Sequence, residues 1–189
     1  MEPDWIRDYC ETYTEFFIRH FTYLFDQVGL PDGMFIYEDL GYSNGPFCSP
    51  KTYRELIFPH HKRIFDFFHN RGLPVLLHSC GDVRQMVPAV IEAGIDCLQP
   101  MEAKAGVDVF SLAKEYEGQL AFMGNIDVTV LNKNDPEQVR QYVHEKVTTL
   151  RDRGVPYIFH SDHSIPPDVH LDTYKLALEI LRSEGAYRT

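Results

Sequence analysis

The sequence has few basic residues, few cysteines and no long apolar run, and each shortage excludes a class of function. Lys and Arg number 18 against 28 Asp and Glu, and the net charge of -10 argues against a nucleic-acid or anionic-membrane partner. No apolar run approaches the roughly 18 residues of a membrane span. The acidic start "MEPDWIRDY" lacks the apolar segment of a signal peptide. The scattered cysteines lack CxxC spacing and predict free thiols in a reducing, cytoplasmic compartment: Cys10, Cys48, Cys80 and Cys97.

What the chain does contain is a repeating order of short apolar run, polar loop and helix. Apolar residues at three- and four-residue steps predict a leading helix from Asp4 to Val28. Five strand–helix cycles follow, and this alternation predicts an α/β fold with a parallel sheet. No linker or low-complexity tract interrupts residues 1–189, so we expect a single domain.

Local signals place several helix ends. Ser49 followed by Pro50, and Asp135 followed by Pro136, are typical of an N-cap and the first helical position. Pro59 is expected to kink or break the helix that begins after Ser49.

Polar residues follow nearly every predicted strand, and in a parallel sheet these strand ends share one edge, where α/β folds build their sites. The clusters are Glu38-Asp39, His78-Ser79-Cys80, Glu102-Lys104, Asn125-Asp127 and His160-Asp162-His163.

The clearest of these clusters is "VLLHSCGD", in which His78 and Cys80 stand two residues apart at the end of an apolar run. Residues i and i+2 of a strand face the same side, so an imidazole and a thiolate can reach one metal ion. Further ligands must come from a distant strand, and the late His160, Asp162 and His163 are candidates. The alternative is that Cys80 is a buried apolar residue and His78 a hydrogen-bonded core residue.

The carboxylates also allow two interpretations. Glu38 and Asp39 are candidate acid/base groups or outer ligands, although Asp39 can equally shape a loop with the nearby glycine. Glu102 and Lys104 form either a site ion pair or a surface pair. Asp127 is a catalytic candidate or the N-cap of a short helix.

Several consecutive motifs resemble the uroporphyrinogen decarboxylase superfamily. They are "EDLGYSNGPFCSPKTYRELIFPHHKRI", "LHSCGDV", "IEAGIDCLQPMEAKAGVDV", "FMGNIDVTVL" and "SDHSIPPDV", in order along nearly the whole chain. The resemblance implies a (β/α)8 barrel, of which this chain would hold the C-terminal part, about five βα units, and leave the barrel incomplete. The family's N-terminal part, with its arginine-rich segment and catalytic aspartate, has no counterpart here.

Two branches of the superfamily imply different chemistry. The zinc-dependent cobalamin- or coenzyme-M-linked methyltransferases bind zinc through an HxC pair and a late cysteine. His78 and Cys80 resemble that pair, but His163 stands where the late cysteine would be. The decarboxylase branch lacks the HxC pair and has a functional late histidine, which His163 resembles.

The first hypothesis is therefore a zinc-dependent methyltransferase with His78, Cys80 and His163 as ligands. It would move a methyl group between a small donor, or a corrinoid carrier on a partner protein, and a thiol. The alternatives are decarboxylation of uroporphyrinogen in tetrapyrrole biosynthesis, which needs no metal in that branch, and a non-catalytic fragment. Five βα units leave strand edges open, so we also expect a homo-oligomer or a complementing N-terminal half. The acid/base candidates are Glu38, Asp39, Glu102, Lys104 and Asp127.

Overall fold

The computed structural model describes residues 2–187 and has a five-stranded parallel sheet at its centre. The strands are β1 (Met34–Tyr37), β4 (Val75–His78), β5 (Cys97–Gln99), β6 (Ala121–Met123) and β7 (Tyr157–Ile158). They pair in the order β1-β4-β5-β6-β7, so each strand lies beside the next one of the sheet along the chain. The predicted α/β class and parallel sheet are confirmed.

Helices precede, connect and follow these strands. They are α1 (Pro3–Val28), α2 (Pro50–Leu56), α3 (Phe58–His69), α4 (Val87–Ala93), α5 (Val109–Glu115), α6 (Val128–Leu131), α7 (Pro136–Asp152) and α8 (Leu171–Glu184), with a 3-10 turn at Ala103–Ala105. The side chains of Ser49 and Asp135 accept backbone N–H groups at the starts of α2 and α7, as predicted. The break at Pro59 is also confirmed, because α2 ends at Leu56 and α3 begins at Phe58.

A short antiparallel pair was not predicted. Strands β2 (Gly41–Tyr42) and β3 (Gly45–Pro46) lie between β1 and α2, within the polar segment "GYSNGP". Each is two residues long and carries no alternating apolar pattern, so the sequence offered no strand signal there. The pair matters for the site, because the backbone of β2 lies against the loop that follows β4.

Two apolar clusters form the core. The larger one lies between the sheet and helices α1 to α5, and the aromatic rings of α1 pack on Phe68 of α3 there. The smaller one joins α7 and α8 to the end of β6; its buried residues are Ile126, Leu131, Val139, Val143, Val147, Val169, Ala177 and Ile180. Helices therefore pack both on the sheet and on the segment that follows β6.

Within residues 2–187 the sheet is open, with β1 and β7 as its edge strands. Helix α1 also turns a row of aromatic side chains toward solvent, at 47% to 67% exposure: Trp5, Tyr9, Tyr13, Phe16 and Tyr23. Among the described helices, none is both long and apolar enough to cross a membrane.

Candidate metal centre

Three of the polar residues at the C-terminal edge of the sheet form a compact donor group. Asp39 follows β1, His78 ends β4, and Cys80 lies two residues beyond it. One oxygen, one nitrogen and the sulfur of these side chains all lie within 4.8 Å of one another. His78 Nε2 is 3.2 Å from Cys80 Sγ and 3.5 Å from Asp39 Oδ1. The edge therefore brings together a carboxylate, an imidazole and a thiol at metal-ligand spacing.

The donor group borders a cavity of about 640 Å³ at the same edge of the sheet. Aromatic and aliphatic side chains make up much of its wall, including Phe35 and Tyr37 from β1 and several residues of α8. His78, Cys80 and His163 are also part of the lining. A small molecule in this cavity would therefore lie against two of the three donors, His78 and Cys80.

His78 is held between side chains of the two neighbouring strands. Its register partners are Tyr37 on β1 and Gln99 on β5, so the three side chains form a row across the sheet. The ring of Tyr37 lies with its centroid 4.5 Å from that of the imidazole. On the other side, His78 Nδ1 is in hydrogen-bond contact with Gln99 Oε1. The imidazole is thus oriented with Nε2 toward Cys80 and Asp39.

The position of Cys80 depends on a tightly packed loop. Its backbone N–H donates to Asp39 Oδ1 at 3.0 Å, and the N–H of Gly81 donates to Glu102 Oε2 at 2.8 Å. Gly81 has a φ of +78°, and a Cβ there would lie 2.5 Å from the carbonyl oxygen of Tyr42 on β2. Only glycine allows this conformation and this approach without strain, so Gly81 fixes where the chain turns after Cys80.

The preceding residue, Ser79, fixes the same loop through buried hydrogen bonds. Its side chain is fully buried and its hydroxyl accepts the N–H of Leu40 at 2.9 Å. Its own N–H donates to the carbonyl of Gln99 at 2.7 Å. The segments that carry Asp39 and Cys80 are therefore tied to each other through buried hydrogen bonds.

Burial and nearby negative charge together raise the pKa of the Cys80 thiol. Partial burial, followed by the charges of Asp39 and Glu102, raises the pKa of Cys80 to about 11. The thiol is therefore protonated at neutral pH in the metal-free protein, and a bound cation would have to replace that proton. Burial, followed by the charge of Asp39, also raises the pKa of Glu38.

The other predicted residues lie around this group in different roles. Glu38 is not one of the three donors. Its charge instead contributes, after burial, to the raised pKa of Cys10 on α1 and of Tyr53 on α2. His163 lines the cavity together with His78 and Cys80. It is not a member of the donor group found among residues 2–187. A catalytic role for Glu38 and a metal-ligand role for His163 stay predictions.

Glu102, Lys104 and Asp127 have structural contacts that account for their positions. Glu102 is buried, binds the loop after Cys80, and pairs through Oε1 with Lys104 Nζ at 3.1 Å. Asp127 is the N-cap of α6 and accepts the N–H of Thr129 at 2.7 Å, which matches the capping alternative. Acid/base roles for these three residues stay predictions.

Two buried polar residues, Asn125 and Asp162, support the edge. The sequence analysis noted Asn125 only as a member of a polar cluster and Asp162 also as a candidate for a further metal ligand. Asp162 is fully buried and accepts the N–H groups of Ala103 and Val128, at 3.0 and 3.1 Å. The Nδ2 group of Asn125 donates to two carbonyl oxygens at 2.7 Å each, and its Oδ1 accepts from Lys146 Nζ at 2.7 Å. These contacts connect the loops after β5, β6 and β7, so the two side chains maintain the edge.

Gln99 is a residue of the site that sequence reasoning missed. The available signal was a polar residue in "DCLQP", at the end of an otherwise apolar strand. Its partner could not be read from the sequence, because the contact with His78 depends on the pairing of β4 with β5.

The chain resembles known proteins over most of its length. The family model described as uroporphyrinogen decarboxylase (URO-D) matches residues 1–183. A methylated-thiol–coenzyme M methyltransferase of Methanosarcina mazei is 32% identical over 104 residues, which are 54% of this chain and 26% of the relative. A uroporphyrinogen decarboxylase of Chlorobium limicola is 27% identical over 145 residues, which are 73% of this chain and 39% of the relative.

A solved structure supports the same fold. A methyltransferase from Methanosarcina mazei superimposes with a TM-score of 0.62 at 17% identity, over 84% of this chain and 44% of that one. The matches therefore span less than half the length of each of these relatives. With its sheet, its strand-end site and a family match over nearly the whole sequence, the chain belongs to the uroporphyrinogen decarboxylase (URO-D) family.

Proposed function

We propose that this chain carries the metal site of a zinc-dependent methyltransferase, which moves a methyl group from a small donor or a corrinoid carrier to a thiol. The observation that supports this most directly is the group of Asp39, His78 and Cys80 beside the cavity. Similarity to a methylated-thiol–coenzyme M methyltransferase points in the same direction.

The chemistry of the donor set fits zinc. Zinc binds thiolate, imidazole and carboxylate with bonds of roughly 2.0 to 2.3 Å, so the donors of a tetrahedral site lie about 3.3 to 3.7 Å apart. The distances from His78 Nε2 to Cys80 Sγ and to Asp39 Oδ1 are 3.2 and 3.5 Å. Three protein ligands with one open position are typical of catalytic rather than structural zinc.

In this proposal each residue has a defined task. Zinc, when bound, supplies a Lewis acid that favours the deprotonated form of a thiol in the open position. Asp39, His78 and Cys80 hold the ion, and the cavity wall orients the substrate and limits its contact with water. Glu102, through Gly81, keeps Cys80 in place. His163 lies on the cavity wall, where it can contact the substrate or complete the ligand set.

The fold of the complete enzyme is part of the same proposal. We infer that the five parallel strands are the C-terminal strands of a (β/α)8 barrel, closed by a complementing N-terminal half or by another copy of the chain. The open edges at β1 and β7 support this, because unpaired edge strands favour pairing with further strands.

The decisive test is metal content and affinity, measured on the purified chain by elemental analysis and by titration with Co²⁺, whose thiolate charge-transfer band reports a Cys ligand. We expect one ion per chain, lost in Cys80→Ala and weakened in Asp39→Asn. Cys48→Ala is the matched control, because Cys48 is also half-buried but lies outside the donor group. Binding by Cys80→Ala equal to that of the unchanged chain would contradict the proposal.

His163→Ala decides between the two positions considered for the third ligand. If Asp39 is that ligand, the variant binds Co²⁺ with its thiolate band intact. If the band and the affinity are lost in His163→Ala but kept in Asp39→Asn, the ligand set is the one that the sequence predicted.

Activity is measured as the loss of methylcobalamin absorbance in the presence of a small thiol, with the chain alone and with an N-terminal half added.

Decarboxylation of a porphyrinogen is the second candidate, favoured by the match to the Chlorobium limicola decarboxylase over 73% of this chain and by His163 in the cavity. Turnover of uroporphyrinogen by metal-free protein would select the second candidate over the first.

A further inference from the structure

The orientation of His78 depends on a contact that the motif itself does not contain. His78 and Gln99 are register partners on the adjacent parallel strands β4 and β5, so their side chains lie next to each other on one face. Gln99 is 5% exposed, and its carbonyl oxygen Oε1 contacts His78 Nδ1. A buried side chain on a central strand has little freedom to move, so this contact is built into the sheet.

The contact determines which ring nitrogen carries the proton. An amide carbonyl oxygen only accepts hydrogen bonds, so Nδ1 must be the protonated nitrogen and must donate to Oε1. In a neutral imidazole the other nitrogen, Nε2, then has a free lone pair. That nitrogen is the one 3.2 Å from Cys80 Sγ and 3.5 Å from Asp39 Oδ1.

Of the neighbours of Nε2, the thiol of Cys80 agrees with this assignment. Asp39 Oδ1 is an acceptor and favours a proton on Nε2, but at 3.5 Å it lies beyond the length of a normal hydrogen bond. The thiol of Cys80 lies 3.2 Å from Nε2, so its S–H can donate to the lone pair of that nitrogen. A metal ion would use the same lone pair once the thiol proton is lost. The ring of Tyr37 packs on the other side of the imidazole and limits its rotation without contributing a hydrogen bond to it.

We propose that Gln99 is the positioning residue of the site: its amide oxygen holds His78 in the Nδ1–H tautomer and directs the Nε2 lone pair toward Cys80 and Asp39. This inference rests on the proposed metal site, but it makes a claim about the metal-free protein that can be tested separately. Hydrogen bonds from a ligand histidine to a second residue typically change metal affinity 10- to 100-fold, and Gln99 would supply that partner.

The first measurement is the tautomer of His78 in metal-free protein at about pH 8, where imidazoles are mostly neutral. Long-range ¹H–¹⁵N correlation of histidine-labelled protein distinguishes the two ring nitrogens, and His78→Gln assigns the signal. We expect the Nδ1–H form in the unchanged chain and in Gln99→Glu, whose carboxylate can also accept a hydrogen bond from Nδ1–H. We expect Gln99→Met, similar in size but without an acceptor at that place, to lose the preference for Nδ1–H.

Tyr37→Leu is the matched control, because it removes the packing on the ring but leaves the contact with Gln99. It should keep the Nδ1–H tautomer. An Nε2–H signal in the unchanged chain, or an Nδ1–H signal retained in Gln99→Met, would overturn the inference whether or not a metal binds.

The second measurement is Co²⁺ affinity. Gln99→Met should bind Co²⁺ about 10- to 100-fold more weakly than the unchanged chain, and Gln99→Glu should bind close to the unchanged value. If the unchanged chain binds no metal, the proposed function fails, and the tautomer data still decide the role of Gln99. If the unchanged chain and Gln99→Met bind metal equally, the role of Gln99 fails and the proposed function remains.

Discussion

Acid should destabilise this protein through a single buried histidine, and the size of the effect follows from the structure. His61 on α3 is 9% exposed, packs against Phe65, and lies with Nδ1 2.9 Å from the hydroxyl of Tyr53. Burial, with a smaller contribution from the neighbouring His60, lowers the pKa of His61 from 6.5 to about 4. The folded protein therefore keeps this ring neutral at a pH where the unfolded chain protonates it.

The sign follows from proton linkage. Below the unfolded pKa of 6.5 the unfolded chain binds a proton at His61 that the folded chain does not bind, so stability falls as pH falls. The contribution is complete above pH 6.5 and is lost progressively down to about pH 4. At 1.36 kcal/mol per pKa unit, the loss reaches about 2 kcal/mol at about pH 5 and about 3 kcal/mol at about pH 4.

The assay is urea unfolding of the unchanged chain and of His61→Gln at several pH values. Glutamine keeps a polar partner for Tyr53 but does not titrate, and the carboxylates affect both proteins alike. The difference in unfolding free energy between the two proteins should therefore shift by about 2 kcal/mol in favour of the variant between about pH 7.5 and about pH 5. A difference that stays constant over this range would refute the assignment of a buried, neutral His61.

Three further predictions concern the loop after β4, the buried contacts of Asn125 and the exposed aromatic side chains of α1. Gly81→Ala should lower stability by about 1 to 3 kcal/mol and weaken Co²⁺ binding, because its Cβ would meet a backbone carbonyl; Gly118→Ala has a similar positive φ and open space, so it should leave Co²⁺ binding unchanged. Asn125→Ala should cost about 3 kcal/mol or more in urea unfolding, because it leaves several buried hydrogen-bonding groups without partners; a loss below about 1 kcal/mol would contradict this. The chain should self-associate in sedimentation experiments, and Phe16→Lys with Tyr23→Lys should reduce this, since both side chains are exposed aromatics of α1; a monomer at all concentrations would count against it.

Much of the fold could be predicted from the sequence, because the signals that determine it are local. Helix periodicity, the caps at Ser49 and Asp135, and the break near Pro59 depend on residues within a few positions of each other, and all are found in the structure. The alternation of strands and helices likewise implies a parallel sheet, since parallel neighbours need a crossover connection. The hairpin of β2 and β3 was missed because strands of two residues leave no periodic pattern.

The same distinction applies to the site. His78 and Cys80 stand at positions i and i+2, so their proximity follows from strand geometry alone, and the structure has them 3.2 Å apart. That Asp39 completes the group, whereas His163 lies on the cavity wall outside it, depends on the order and register of separate strands. The contact of Gln99 with His78 depends on the pairing of β4 with β5. Sequence spacing determines what one strand presents, whereas only the packed sheet determines which side chains of different strands meet, because those distances are set by long-range pairing and by the burial that fixes it.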